Sequence, residues 1–458
     1  MENINNQPQY QYRYIVRFTV EASTPIAVGS GMGTILTDSP VIRDVNGLPY
    51  IPATSLAGVI RHELSEQEGE DFVNDAFGFH DKYGGEGSRI VFTDAVMVGK
   101  DALPVDGIQS IDWNDDFYRH YHDLCIRNHV RIGSDGVAED AGKYDNEVVY
   151  KGTRFVFEAE LVSEKERKEM FCKIVSALSS SVLRIGSGTR CGYGKLSVKK
   201  CERAILDLCN ADDLKLYAQK SSCLSAAWAG FSEWKPTSAD PSSAGWTRYV
   251  LSLQPVDFYM FGSGSGDDDA DNVPVSESVV EWNGGKPAFA DRRTLIPAAS
   301  VKGALAHRTA YNYNKVNHLY VGNPEAKTGD ENLAVAAIFG KAAGKDGSRG
   351  SRGGIILSDL LEYDIADAQK LFYHIQSDYF SGGTIDGALF QEKSVHGKGQ
   401  CHRLELLVAD GALADDKVKE AFVQSLRDIC DGLLPLGGVT GRGNGFFTGT
   451  LTENDKRL

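Results

Sequence analysis

Apolar and polar positions along the chain change period in a set order. Tyr14-Ile-Val-Arg-Phe-Thr-Val-Glu-Ala22 has the aromatic and β-branched content of a strand. Pro52 and Thr54-Ser55 stand where a helix begins, and residues 55–65 carry a helical pattern. Strands are expected at about 89–98 and 153–162. Ser163-x-x-Glu166 then offers a capping box for a helix whose stripe of Met170, Ile174, Leu178 and Val182 recurs every fourth residue. A last strand is expected from Lys195. Strand, helix, strand, strand, helix, strand is the split β-α-β plan of a ferredoxin-like fold, so the fold class expected is α+β.

The same order then returns. A strand is expected near 248–258, a helix near 299–312, and a second helix carrying Val418, Phe422, Leu426, Ile429 and Leu433. Short motifs repeat with it. Ile51-Pro-Ala-Thr-Ser-Leu-Ala-Gly58 matches Ile296-Pro-Ala-Ala-Ser-Val-Lys-Gly303, and Phe77-Gly78 matches Phe339-Gly340. Arg89-Ile-Val-Phe-Thr-Asp94 matches Gly354-Ile-Ile-Leu-Ser-Asp359, and Asp135-Gly136 matches Asp386-Gly387. Ile185-Gly-Ser-Gly-Thr-Arg-Cys-Gly-Tyr-Gly194 matches Leu436-Gly-Gly-Val-Thr-Gly-Arg-Gly-Asn-Gly445. This is an internal duplication, read as a first domain over 1–206, a linker over 207–246 that includes Pro236-Thr-Ser-Ala-Asp-Pro-Ser-Ser-Ala-Gly245, and a second domain over 247–458. Each unit carries an insertion between its central strands, at about 100–152 and 363–400, placed for recognition or as a solvent-facing elaboration. Lys345–Gly354 reads as a mobile tip.

Composition narrows the function. The 458 residues contain no apolar run of the ~20 residues a membrane helix needs, and the polar start lacks a signal-peptide plan, so a cytoplasmic protein with no membrane partner is expected. Eight cysteines without a Cys-x-x-Cys pair read as reduced thiols. A net charge of −15 counts against nucleic acid, yet Arg61, Arg131, Lys151, Arg190, Lys302, Arg308 and Arg442 lie in or beside the repeated motifs while acidic clusters lie outside them. A basic track on an acidic protein stays open.

The Gly-rich loops follow a helix and enter a strand, which excludes a dinucleotide fingerprint, and no Gly-Lys-Ser/Thr occurs. They either let a polyanion approach the backbone, with Thr189, Arg190, Thr440 and Arg442 as donors, or form tight turns that need positive φ. Asp38, after Gly29-Ser-Gly-Met-Gly33, either holds a hydrated Mg²⁺ and orients a nucleophile or forms a turn; Asp44 is a turn-former. Histidines show no metal spacing, and no Ser, His and Asp constellation indicates a small-molecule substrate.

Asp38-Ser-Pro-Val-Ile-Arg-Asp44 after its Gly loop, Gly47-Leu-Pro-Tyr-Ile-Pro-Ala-Thr-Ser-Leu-Ala-Gly58, Phe77-Gly78, Arg89–Asp94 and the loop ending Gly192-Tyr-Gly194 together resemble the RAMP superfamily, and more narrowly the backbone subunits of type III CRISPR effector complexes, here as a fused pair. The resemblance implies that each domain grips guide RNA and that the insertion acts as a thumb in the guide and target duplex. It implies other effector subunits as partners, and metal-dependent (Mg²⁺ or Mn²⁺) cutting of complementary target RNA at Asp38, with Asp271 as the equivalent in Asp267-Asp-Asp-Ala-Asp271. Guide-RNA contacts are then expected from Gly29, Gly31, Arg43, Ser55, Gly58, Arg61 and Arg131, and from Gly186, Gly188, Gly192 and Gly194. The second-unit counterparts are Ser300, Lys302, Gly303, Arg308, Gly437, Gly438 and Gly443. Ala57 stands where the family usually has Lys, which transfers the charge to Arg61; the second unit keeps Lys302. The rival readings are a non-catalytic RNA scaffold and a guide-processing endoribonuclease that uses a histidine and no metal.

Overall fold

The structure is a computed structural model that describes residues 10–458 except 36, 83, 134, 237–244, 344–346, 348 and 366. The polar start, the centre of the expected linker and part of the expected mobile tip therefore lie outside the described residues. In the first half the chain runs β1 (Tyr12–Ala22), α1 (Ala53–Glu68), α2 (Glu70–Phe77), β2 (Ile90–Phe92), α3 (Asp116–His122), an inserted hairpin of β3 (Cys125–Ile132) and β4 (Ala138–Val148), then β5 (Arg154–Ser163), α4 (Lys168–Ala177), β6 (Leu196–Asp207) and α5 (Ala211–Ala218). In the second half it runs β7 (Trp246–Pro255), a hairpin of β8 (Ser276–Asn283) and β9 (Lys286–Ile296), α6 (Ala298–Val316), α7 (Leu333–Phe339), β10 (Ile355–Leu357), an inserted hairpin of β11 (Gln369–His374) and β12 (Phe390–His396), then β13 (His402–Ala409), α8 (Asp416–Cys430) and β14 (Phe447–Glu453). The chain is α+β, with antiparallel sheets and eight α-helices among the described residues.

The main sheets share one order. The first is β6-β1-β5-β2 and the second β14-β7-β13-β10, so in each the third strand of the unit lies between the first and second, antiparallel to both. Phe18 faces Phe157 on one side and Cys201 on the other; Leu251 sits likewise between Leu404 and Leu451. Alternate residues of β1 (Tyr14, Val16, Phe18, Val20) enter one core with Leu56, Ile60 and Leu64 of α1 and Phe171 and Ile174 of α4. In the second core Tyr249, Leu251 and Leu253 meet Val301, Leu305, Phe422, Leu426 and Ile429. Each such side chain contributes roughly 1.5–3 kcal/mol on burial, which fixes the helices on one face of each sheet.

Three expectations are corrected. The capping box does not form: α4 begins after Arg167, Ser163 Oγ accepts from Lys165 N–H at 3.3 Å, and Tyr14 OH takes the Arg167 N–H at 2.7 Å, so a buried strand residue holds this turn. Leu178 and Val182 lie beyond α4, and Leu433 lies beyond α8 and is 60% exposed, because Gly432 turns at φ +72. Much of the stretch expected as a linker is folded. α5 packs back on the first sheet, Tyr217 OH and Lys220 Nζ donate to Glu160 and Glu158, and Arg17 donates to Ala226 O at 2.6 Å. Ser232–Glu233 extends the sheet beside β6. Arg17, buried beside Glu158, needs those acceptors, which is why this polar segment docks.

Candidate nucleic-acid interface and cleavage loops

The loop after β1 is tied down from two sides. Gly194 N–H donates to Pro25 O (2.8 Å) and Ser187 N–H to Ala27 O (2.7 Å), joining it to the Gly-rich loop. Glu147 N–H donates to Ser39 O (3.1 Å), joining it to the inserted hairpin, while Ser30 N–H to Pro40 O and Ile42 N–H to Val28 O close the loop on itself. The second half repeats every bond at 2.7–2.9 Å: Gly445 to Phe258 O, Gly438 to Met260 O, Lys393 to Asn272 O, Ser263 to Val273 O and Val275 to Phe261 O. This sets the register. Asp38 and Asp271 occupy one place, each exposed and each preceding the residue that bridges in parallel to the hairpin, Ser39 to Asn146 and Asn272 to Glu392. The carboxylate of Asp38 accepts Asp145 N–H at 3.0 Å; that of Asp271 accepts Gln391 N–H at 2.8 Å.

The glycines divide into two classes. A Cβ at Gly186 or Gly437 would run into the carbonyl oxygen of Ala27 or Met260, at Gly194 into Ile185 O, at Gly188 into the Tyr193 ring, and at Gly192 into Asp359. With φ between +64 and +115, these positions are glycine for the protein's own close packing. Gly438 also belongs to the lacing through its N–H. Gly31, Gly58, Gly303 and Gly443 have nothing within 4 Å of the missing Cβ, and Gly29 nothing closer than 3.9 Å. Gly58 and Gly303 are exposed inside α1 and α6, beside Ser55 and the exposed Ser300. Alanine there should stabilise the free chain by about 0.5–1 kcal/mol each. If RNA lies against these helices, the same substitutions should weaken guide RNA binding; thermal melts and filter binding on one preparation separate the two, and unchanged affinity would remove α1 and α6 from the RNA path.

The basic residues divide as well, by the acceptors each has within the protein. Arg43 donates to Gly47 O and Tyr121 O, Arg61 to Gly78 O and Asn74, and Arg308 to Asp428 at 2.5 Å. Each ties elements of its own unit together, since partly buried guanidinium groups need acceptors. Burial pushes the Asp428 carboxyl up, but Arg308, Gln424 and Asn312 outweigh it and hold it below the usual carboxylate range. Arg131 is exposed and paired with Glu139 near the hairpin tip; Arg442 pairs with Glu392 and lies over Phe390. Thr189 and Thr440 are half-buried in their loops. Arg190 and Lys302 form a different pair of cations. Neither makes an ion pair with a carboxylate among the described residues, and burial lowers both, Arg190 to about 10 with Arg352 adding to the effect, and Lys302 with Arg190 adding to it. They come from different halves, Arg190 in the Gly-rich loop whose Gly192 bridges Ser358 across a seam between the halves, and Lys302 on α6.

That seam holds the residues sequence reasoning missed. Asp94 Oδ1 accepts the Ala53 N–H that opens α1, and Asp359 Oδ1 accepts the Ala298 N–H that opens α6, both at 2.8 Å. The repeated strand-ending Asp was visible, and its capping of a distant helix was not. Asp359 is further covered by the first unit: Arg127 of β3 donates to Asp359 and, at 2.7 Å, to Glu277. Burial alone would lower the Arg127 guanidinium, and the two carboxylates more than reverse this. Asp94, by contrast, is exposed. Around the seam Val280 N–H donates to Lys151 O, Trp282 Nε1 to Gly152 O, and Phe289 stacks on His120 at 3.8 Å.

Residues 19–197 and 257–448 each match the RAMP superfamily. A stretch of 210 residues is 29% identical to the CRISPR system Cms endoribonuclease Csm3 of Mycobacterium tuberculosis (strain ATCC 25618 / H37Rv), covering 39% of this chain and 82% of that protein. Among solved structures, a chain of the type III-B Cmr-beta complex in its apo state aligns at 19% identity with a TM-score of 0.31, over 42% of this chain and 98% of its own length. The two matched regions coincide with the two halves whose loops are laced in the same register, and the chain belongs to the RAMP superfamily, twice over.

Proposed function

We propose that this chain is a double backbone subunit of a type III CRISPR effector, which holds guide RNA and cuts complementary target RNA beside Asp38 and Asp271. The observation that carries the reading is the repeated placement of one exposed aspartate between a Gly-rich loop and an inserted hairpin, in identical hydrogen-bond register. In this reading each half is a ferredoxin-like unit, 1–206 and 247–458, a view supported by the shared strand order. The similar Csm3 protein is named an endoribonuclease.

RNA would cross the seam, where Arg190 and Lys302 make no ion pair with a carboxylate among the described residues; a phosphodiester would offset the cationic neighbour that burdens each, Arg352 for Arg190 and Arg190 for Lys302. Aromatic residues at the second hairpin tip, Tyr379 and Phe380, are over 90% exposed and suit stacking on bases. Exposed Asp94 marks where another effector subunit would seat, because its counterpart Asp359 is covered by Arg127 and the Gly192 loop of the preceding unit. No described helix is long and apolar enough to cross a membrane, and the reading places the complex in the cytoplasm.

The donor set fits a hydrated divalent cation. An exposed carboxylate held by a single backbone N–H has acceptor capacity left, and Mg²⁺ commonly binds through one or two carboxylates plus a substrate phosphate. Asp38 or Asp271 would hold it, and it would supply charge neutralisation at the phosphodiester. The chain's own part is to present that carboxylate, keep the hairpin against the loop, and position the RNA.

The test is the reconstituted complex with guide-complementary RNA. Cutting should require Mg²⁺ or Mn²⁺, stop on chelation, and leave unpaired precursor RNA intact. Precursor cleavage in a chelator would replace this reading with guide processing.

A further inference from the structure

The two aspartates are clamped by the same pair of hydrogen bonds made from different atoms. In the second unit both bonds involve backbone of β12: Gln391 N–H donates to the Asp271 carboxylate, and Asp271 N–H donates to Gln391 backbone O at 3.0 Å. In the first unit Asp145 N–H donates to the Asp38 carboxylate, but the return bond, Asp38 N–H at 2.8 Å, goes to the side-chain Oδ1 of Asp145. Asp145 is half-buried on β4, directly across from Asn128 of β3, and its neighbour Asn146 makes the parallel bridge to Ser39.

The crest of the loop ahead of Asp38 faces solvent. Met32 and Ile35 are 80% or more exposed, and Gly31 turns at φ +88 with open space around it. Within it, the only bonds that reach the reactive carboxylate and its own amide are those to Asp145 among the described residues. Truncating the Asp145 side chain therefore frees the Asp38 amide and leaves Asp38 held to Asp145 by the backbone N–H of that residue alone; truncating Gln391 removes neither bond of the second clamp.

We infer that Asp145 is a positioning residue for the first cleavage loop, acting through a side-chain hydrogen bond that fixes Asp38 against the inserted hairpin, and that the matching clamp on Asp271 needs no side chain of Gln391. The inference rests on the reading of Asp38 as the cutting residue. It needs Asp145 as an acceptor, not as a charge, so asparagine should substitute for it.

Two readouts test this on the full chain. In the free protein, hydrogen exchange of the peptide spanning Asp38 should speed up about tenfold in Asp145→Ala and stay near wild type in Asp145→Asn, while Gln391→Ala leaves the peptide spanning Asp271 unchanged. In the assembled complex, the single-turnover rate of the Asp38-dependent product should fall about tenfold in Asp145→Ala with target affinity unchanged, and Asp145→Asn should restore it. Equal loss in Asp145→Asn would make the carboxylate charge the operative feature and overturn the inference, as would wild-type exchange and rate in Asp145→Ala. If Asp38→Ala itself leaves every product intact, the cutting assignment fails, and the exchange result still decides the clamp.

Discussion

Arg127→Ala should lower the stability of the folded chain by about 3–5 kcal/mol, the cost of leaving a buried charge without its partner. Arg127 is 7% exposed, Glu277 6% and Asp359 4%, so water cannot replace the lost donor. The damage should be local first. Asp359 also caps α6 through Ala298, and a carboxylate stripped of Arg127 must be protonated or move, which loosens the start of that helix. Urea unfolding followed by tryptophan fluorescence measures the loss, since Trp282 sits across the same seam with its indole N–H on Gly152 O. A second variant keeps the result interpretable. Arg127→Met with Glu277→Gln and Asp359→Asn removes all three charges, and should recover part of the loss. An Arg127→Ala protein as stable as wild type would show that the two carboxylates do not depend on it.

Asp38→Ala should abolish one cleavage product of the assembled complex, with a rate loss of at least ~10²–10³-fold, the scale on which general acid–base or metal-held groups act. The Asp271→Ala protein should lose a different product, and the double variant both. The substitutions should be benign to folding, because both side chains are exposed and each leaves the lacing bonds through Ser39 O and Asn272 O in place. Guide RNA binding should persist in each case. Retention of every product in the double variant would leave a scaffold that positions RNA for catalysis elsewhere.

The parts of this protein that were legible in the sequence are those governed by local periodicity and by short repeated words. The two units, their strands and helices, and the apolar stripes of β1, α1 and α8 follow from the spacing of residues such as Phe18, Ile60 and Phe422, because a buried face must recur with the period of its element. Asp38 was legible from its motif. Asp271 was found in a run of acidic residues, and only the bonds from Lys393 to Asn272 and from Gln391 to Asp271 set its register.

Charged side chains were the least legible. Arg43, Arg61 and Arg308 read as RNA contacts because they lie in the right motifs, yet each has acceptors within its own unit. Arg127 and Asp145 drew no notice, since nothing in their neighbourhood announces a partner. Their partners lie 232 and 107 residues away in the chain. A hydrogen bond is short-ranged and directional, so whether a carboxylate or guanidinium is free for RNA or committed to the fold depends on which distant atoms come within about 3 Å. The sequence by itself determined the duplicated architecture, because burial patterns are local and repeated; the tertiary structure alone decided which charges are paired within the fold, because pairing is set by contacts between segments that the chain holds far apart.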